Sequence, residues 1–553
     1  MKNIASLFAV LLLIMLGVVH PASAQTPASM ADYWAGNAEW KLVRQMDPIV
    51  GGVSDNGGAK TVRVSGDAWY LFSPYANQSA CTRENILKLG IRVFKSTNQG
   101  ATWSAPADAI SLGAQAASDC EATDGDAIYD ASANKWRMIY QCLSENPTEG
   151  WQVCYAERLG ADPMGTFTPV AANPVIRSGT LWQQICASPT SRCRVLSDNR
   201  PVLDEGTLKI SHFDGTYFWV TFHGFVPDTA SLPSRGFRGV AKTADFVTWI
   251  AGNISQGTPD DAMLSLEDAN QWREDWNTGG PIGPGDGSII QDGGYFYQTV
   301  EVPDLNLGCR DGQNWNVGIY RADSLAKKTG QWEGLPAGNP IFYSGKPVNG
   351  GTNIGCAIQY AQIFKDTTVS PNVIYLKLNR QSKEIGNMGT DLYQLTVTRN
   401  LLKNGDLWKA NAEHWNRTFQ GQTNLAVFRW PQTAPDRNQF MATNCGKPAC
   451  DPGQSVYQDV DATPYAGQIV DFGGKFSTGG GTGKMFLRLH QLDVNNALVD
   501  EKVIEAYPND TGFITLLSAP VQVNPATKLL RYQVYLETGT VTYFADEMHV
   551  TLH

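Results

Sequence analysis

The residues of this 553-residue chain with the clearest chemical potential are acids set at recurring turns. Asp55 opens Asp55-Asn56-Gly57-Gly58, Asp124 and Asp126 flank Gly125, Asp204 and Glu205 precede Gly206, and Asp286 sits between Gly285 and Gly287. Asp55, Asp126 and Glu205 follow one another at intervals of 71 and 79 residues. If each interval is one structural repeat, successive repeats deliver one carboxyl each to a common centre. Carboxyls sharing a cleft push each other's pKa values apart, so one is protonated while its neighbour is ionised at the same pH. That combination is the equipment of general acid–base hydrolysis.

The elements that position these acids are short strands. Leu203–Ile210 is followed by a polar turn and the aromatic run Phe218-Trp219-Val220, and the same grammar recurs around Trp69-Tyr70-Leu71-Phe72, Trp136–Tyr140 and Tyr295-Phe296-Tyr297. A strand entered through an acid, a tight turn and an aromatic second strand describe one blade repeated around an axis. Ser96-Thr97-Asn98-Gln99-Gly100-Ala101-Thr102-Trp103 resembles the S-x-D-x-G-x-T-W turn of sialidase-like propellers, with Asn98 in the place of the Asp. Lys242–Trp249 closes another unit on a Trp. Alternating apolar patterns without long 3.6-residue periodicity make the chain all-β. A five-bladed β-propeller over residues 25–398 is predicted in preference to a β-sandwich, with 25 to about 50 as an entry segment. From Asn400 the strands lengthen, and residues 400–553 read as a separate jelly-roll β-sandwich.

The bulk numbers agree with a secreted, turn-rich protein. Lys2, the apolar run Ile4–Val19 and Ala22-Ser23-Ala24 form a secretory signal over residues 1–24, which predicts a secreted or periplasmic chain with no membrane anchor after cleavage. A formal net charge of −10 without a basic cluster argues against nucleic-acid binding. Ten cysteines all lie beyond the signal. Cys142/Cys154, Cys186/Cys193 and Cys445/Cys450 are close pairs, whereas Cys81, Cys120, Cys309 and Cys356 allow three pairings, of which 81–120 and 309–356 close the shortest loops. No zinc-type CxxC pairs occur, so disulfides are expected and metal ligation is not.

The repeated acid-led pattern over about residues 50–398 resembles the five-bladed propeller glycosidases of glycoside hydrolase family 43 and its relatives. The resemblance implies cleavage of glycosidic bonds in a polysaccharide or oligosaccharide, with arabinofuranosides the expected substrate. By position, Asp55 corresponds to the general base, Asp126 (with Asp124 as its substitute) to the orienting acid, and Glu205 in Glu205-Gly206 to the general acid. Asp124, Asp204, Asp286, Glu301, His223 and Trp69 are then candidate sugar contacts, with Asp286 a second candidate for the acid. His223 is also readable as a packed histidine and Trp69 as a buried inter-blade Trp. The chain departs from the family at Asp55-Asn56, where Asp-Pro is usual, and in the fifth blade, where Gln359 or Asn353 replaces an axial His. No cofactor is expected, and no residue pattern supports an axial calcium. Asn400–Asp406 and Tyr543–Glu547 resemble the opening and closing strands of jelly-roll carbohydrate-binding modules. A sialidase-type enzyme and a non-catalytic glycan-binding propeller are the alternatives.

Overall fold

A computed structural model describes residues 27–46, 60–81, 83, 86–111, 116–232, 234–252, 261–269, 283–303, 315–336, 339–342, 357–381, 388–397, 401–402, 416–417, 424–429, 439–444, 455–478, 485–506, 515–536 and 543–552. The signal-like segment, Asp55, Cys309, Cys356, Cys445 and Cys450 lie outside the described residues. What is described is nearly all strand. None of its helices is long and apolar enough to cross a membrane.

A one-turn helix α1 (Met30–Trp34) leads into β1 (Ala38–Gln45). Four-stranded antiparallel units then follow in chain order. The first holds β2 (Thr61–Ser65), β3 (Ala68–Cys81), β4 (Ile86–Ser96) and β5 (Ala107–Ile110). The second holds β6 (Glu121–Asp130), β7 (Lys135–Leu143), β8 (Gln152–Leu159) and β9 (Thr168–Pro169), and a single parallel bridge, Leu89 to Glu121, joins these two units into one eight-stranded sheet. After the short helices α2 (Thr180–Ile185) and α3 (Arg192–Leu196) comes the third, β10 (Leu203–Phe213), β11 (Phe218–Val226), β12 (Arg235–Thr243) and β13 (Ile250–Ala251). The fourth is β14 (Ile289–Asp292), β15 (Tyr295–Pro303), β16 (Trp315–Ala322) and β17 (Glu333–Gly334). The last is β18 (Ala357–Asp366), β19 (Val373–Gln381) and β20 (Met388–Val397), and β1 completes it by pairing with β20 from Ala38–Val397 to Gln45–Asp391. The entry segment is therefore not a mere lead-in. A pairing across some 350 residues leaves no local pattern to read.

The first strands of these units, β2, β6, β10, β14 and β18, pack against one another in a ring. Their side chains stitch neighbours together level by level. Val62 N donates to Gln362 Oε1 (2.7 Å), Lys209 Nζ to Thr61 Oγ1 (2.8 Å), Ile210 N to Asp126 Oδ2 (2.7 Å) and Ile363 N to Ser288 Oγ (2.7 Å). The second halves of the same strands line an axial cavity of about 390 Å³, with Arg63, Tyr129, His212, Gln291 and Lys365 around it. The five strands thus run in one direction along a common axis, a propeller-like arrangement.

Turn chemistry explains the units locally. Asn98 Oδ1 accepts from Thr102 N (2.9 Å), Ser96 Oγ accepts from Gly100 N (2.9 Å), and Gly100 takes φ +76°. Asp245 does the same work in the third unit, accepting from Val247 N (2.8 Å) and Thr248 N (2.7 Å). An Asx turn needs only a short side-chain oxygen, so Asn98 replaces Asp without loss of the turn. Three disulfides, Cys81–Cys120, Cys142–Cys154 and Cys186–Cys193, lie among these units. The C-terminal strands form two five-stranded antiparallel sheets around a core that includes Val456, Phe472, Leu487, Leu489, Tyr532, Met548 and Val550.

Candidate active site

Among the described residues, Asp124, Asp126, Asp204 and Glu205 lie in the first strands β6 and β10, Asp286 just before β14, and Glu301 in the second strand β15. They are not equivalent. Asp126 is fully buried, and Arg63 holds both its oxygens, with Nε donating to Oδ1 (2.7 Å) and Nη2 to Oδ2. Ile210 N adds a third donor, and Arg63 Nη2 donates onward to Ile210 O (2.7 Å). Asp126 therefore braces the first three units together, and its neighbour Asp124 turns elsewhere. Between Thr123 and Asp126 the β6–β7 register shifts, and Asp124 takes φ +51°. A bulge of this kind re-aims a side chain at the cost of one ladder position.

Asp124 shares its surroundings with Asp286 and Glu301. The phenol of Tyr360, itself at φ +53°, is driven well above its ordinary pKa by burial and then by the charges of Asp124, Glu301 and Asp286. Carboxyls from the second and fourth units therefore meet a fifth-unit side chain near the axis. Glu301 accepts from Ala361 N (3.1 Å), and burial, followed by the Asp286 charge, raises its carboxyl to about 8. Asp286 Oδ1 accepts from Gly287 N (2.6 Å), while its Oδ2, buried, has no hydrogen-bond partner among the described residues. Arg238, fully buried, lies 3.9 Å from Asp286 Oδ1 and donates to Gly285 O and Gly287 O. Lys60, Lys209 and Lys377 are buried too, and the charges of Asp286 and Glu301 reach Lys377. Burial and then the Lys209 charge hold Lys377 well below the ordinary lysine range.

In the third unit the adjacent acids Asp204 and Glu205 part company. Glu205 is 1% exposed, with Oε2 accepting from Gly179 N (2.8 Å) and Oε1 from Leu181 N (2.8 Å) and Trp182 N (3.4 Å). Gly179, the N-cap of α2, has no side chain, so Glu205 satisfies the free amides of the first helical turn. Burial pushes its carboxyl up to about 7 against those three donors. Asp204, at φ +68°, keeps a side chain that is 24% exposed. Its Oδ1 accepts from Gln141 Nε2 (2.9 Å), and its Oδ2 lies 3.1 Å from His223 Nε2. The other ring nitrogen of His223 is 2.6 Å from Thr207 Oγ1. His223 is thus tied into the acid cluster, not merely packed.

Trp69 corrects the expectation of a sugar-stacking platform. It is wholly buried, edge-on to Phe364 and Tyr375 with ring centroids 5.1 Å away in each case. Its ring fills the seam between the first and last units and cannot meet a ligand. Gln141 and Thr207 were not singled out from sequence: Gln141 lies inside the apolar strand β7, and Thr207, though it follows Gly206, carries no ionisable group. Among the described residues no group of three or more His, Cys, Asp or Glu is placed to hold a metal ion.

No protein-family model matches the sequence, and no curated protein matches it. Among solved structures, a glycoside hydrolase is 12% identical, with 66% of this chain and 94% of that one covered at a TM-score of 0.43. A family 43 arabinoxylan arabinofuranohydrolase from Bacillus subtilis is also 12% identical, with 94% and 100% covered at 0.35. A Bombyx mori family 32 β-fructofuranosidase is 10% identical, with 94% and 97% covered at 0.37. Likenesses this distant carry neither activity nor substrate to this chain, which rest on its own residues.

Proposed function

We propose that the chain is a secreted glycoside hydrolase that cleaves a polysaccharide at arabinofuranosyl linkages by carboxylate acid–base chemistry. In this reading residues 1–24 are a signal peptide, 25–398 a five-bladed propeller that carries the site, and 400–553 a jelly-roll module that keeps the enzyme near its polymer. The observation that carries the reading is that the Asp124, Asp286 and Glu301 carboxyls, from the second and fourth units, all act on the buried Tyr360 of the fifth, with Asp204 beside His223 in the third.

Glycoside cleavage needs one protonated carboxyl to supply the leaving oxygen and one ionised carboxylate to activate water or attack carbon. Asp55, in the segment that enters β2, is the proposed base. The Asp204–Glu205 pair supplies the acid, and Asp124 takes the orienting role first assigned to Asp126, whose oxygens are committed to Arg63 and Ile210. No cofactor is required by this chemistry. The test is incubation of the mature protein with 4-nitrophenyl glycosides, arabinan and arabinoxylan, with released sugar measured. Release that disappears in Asp55→Asn supports the reading. Binding without release across the panel would make the protein a glycan-binding propeller instead.

A further inference from the structure

We propose that Asp204, and not Glu205, is the third-unit carboxyl that protonates the departing glycosidic oxygen, and that His223 is its positioning residue. The inference rests on the hydrolase reading above and deepens it.

The backbone supplies the first argument. Asp204 and Thr207 both take positive φ, +68° and +40°, and the β10–β11 register shifts on each side of Gly206. Thr207 is β-branched, and such residues adopt this conformation only under constraint. Strain of this kind persists where the surroundings over-determine it, and it clusters at functional sites. Here the surroundings are visible. Trp182 Nε1 donates to Asp204 O (3.1 Å), Asp204 N donates to Ser178 Oγ (3.2 Å), and Thr207 N donates to Gln141 Oε1 (3.0 Å). Gly206 between them is obligatory, since a Cβ there would sit 2.4 Å from His223 Nε2 and 2.7 Å from Asp204 Oδ2.

The strained segment achieves a particular arrangement of polar atoms. Gln141 uses its amide N–H on Asp204 and its carbonyl on Thr207 N, so one side chain fixes both ends of the bulge. His223 spans Thr207 Oγ1 and Asp204 Oδ2, so the hydroxyl fixes the ring while the far nitrogen faces the carboxyl. Each Asp204 oxygen has one partner, which leaves a lone pair on each. Glu205 has three backbone donors on two oxygens and no exposed face. An acid that must meet a substrate oxygen needs the first situation.

In the step, the Asp204 O–H bond breaks as its proton passes to the glycosidic oxygen. The anomeric C–O bond breaks with its electron pair going to that oxygen, and the leaving alcohol departs neutral. A water oxygen ends on the anomeric carbon, and its proton goes to the ionised carboxylate that serves as the base in the hydrolase reading.

The test compares methyl and 2,4-dinitrophenyl α-L-arabinofuranosides, because the dinitrophenolate departs without a proton. Asp204→Asn is expected to lose about 100-fold or more in turnover on the methyl glycoside and less than about tenfold on the dinitrophenyl one. Glu205→Gln is expected to lose equally on both. His223→Ala should follow Asp204→Asn in its leaving-group selectivity, and His223→Gln, which restores an amide donor near the Nε2 position, should recover most of the loss. Folding of every variant is checked by its melting temperature. Selective loss in Glu205→Gln but not in Asp204→Asn overturns the inference and leaves the hydrolase reading intact. A wild type inactive on both glycosides, and on the polysaccharide panel, overturns both.

Discussion

Raising the pH from about 5 to about 8 should weaken the fold at Glu205, and Glu205→Gln isolates that effect. The ordinary glutamate value is 4.5, and burial pushes this carboxyl to about 7. Well below 4.5 the site is protonated in both folded and unfolded chains, and its contribution is fully present. As the pH climbs, the unfolded chain ionises first, and the contribution is lost as the pH passes through the folded value. Between about pH 5 and 8 the loss is about 2 to 3 kcal/mol. Glutamine cannot ionise, but its NH₂ must face one of the backbone donors from Gly179 or Leu181, a conflict worth about 1–3 kcal/mol. Urea unfolding of both proteins at fixed ionic strength, in steps across that range, reads the difference. The variant should be the less stable at pH 5, and the gap should close or invert by pH 8. Glu301, also raised, titrates in both proteins and cancels in the comparison. A gap that stays constant with pH would refute the argument, because it would mean that the three amides, not burial, set the ionisation of Glu205.

Two further outcomes follow from the packing. Trp69→Ala should cost about 3–5 kcal/mol by opening a cavity between the first and last units, with KM for any substrate unchanged. A rise in KM at unchanged stability would restore Trp69 as a substrate contact. Arg63→Ala leaves the buried Asp126 carboxylate without its bidentate partner and should destabilise by about 3 kcal/mol. The companion Asp126→Asn should lower the melting temperature as well, and a variant that melts like the wild type but is inactive would return Asp126 to the chemistry.

Much of this architecture was legible because it is written locally. The turn at Asn98 and the one at Asp245 each need only a short oxygen-bearing side chain and a following residue that accepts positive φ. Alternating apolar strands between such turns announce antiparallel units, and Cys142–Cys154 joins β7 to β8 diagonally, with Cys142 opposite Gln152 and Cys154 opposite Tyr140. The pairing of Cys81 with Cys120 was one of three open choices, marked in the sequence by its short loop alone, and the fold adopts it. The closing strand was hidden for the opposite reason, since the partner of Ala38 is Val397.

The sequence by itself determined that acids cluster at the entry of successive strand units, and that these include Asp124, Asp204, Glu205 and Asp286. It could not decide which member of a neighbouring pair faces the axis. Side chains alternate sides along a strand, so one extra residue in a ladder exchanges the inward and outward members. The shifts beside Asp124 and Gly206 do this, turning Asp126 towards Arg63 and Glu205 towards the amides of α2. Those shifts depend on Gln141, Trp182 and His223, which come from other strands and a helix and meet only in the folded chain.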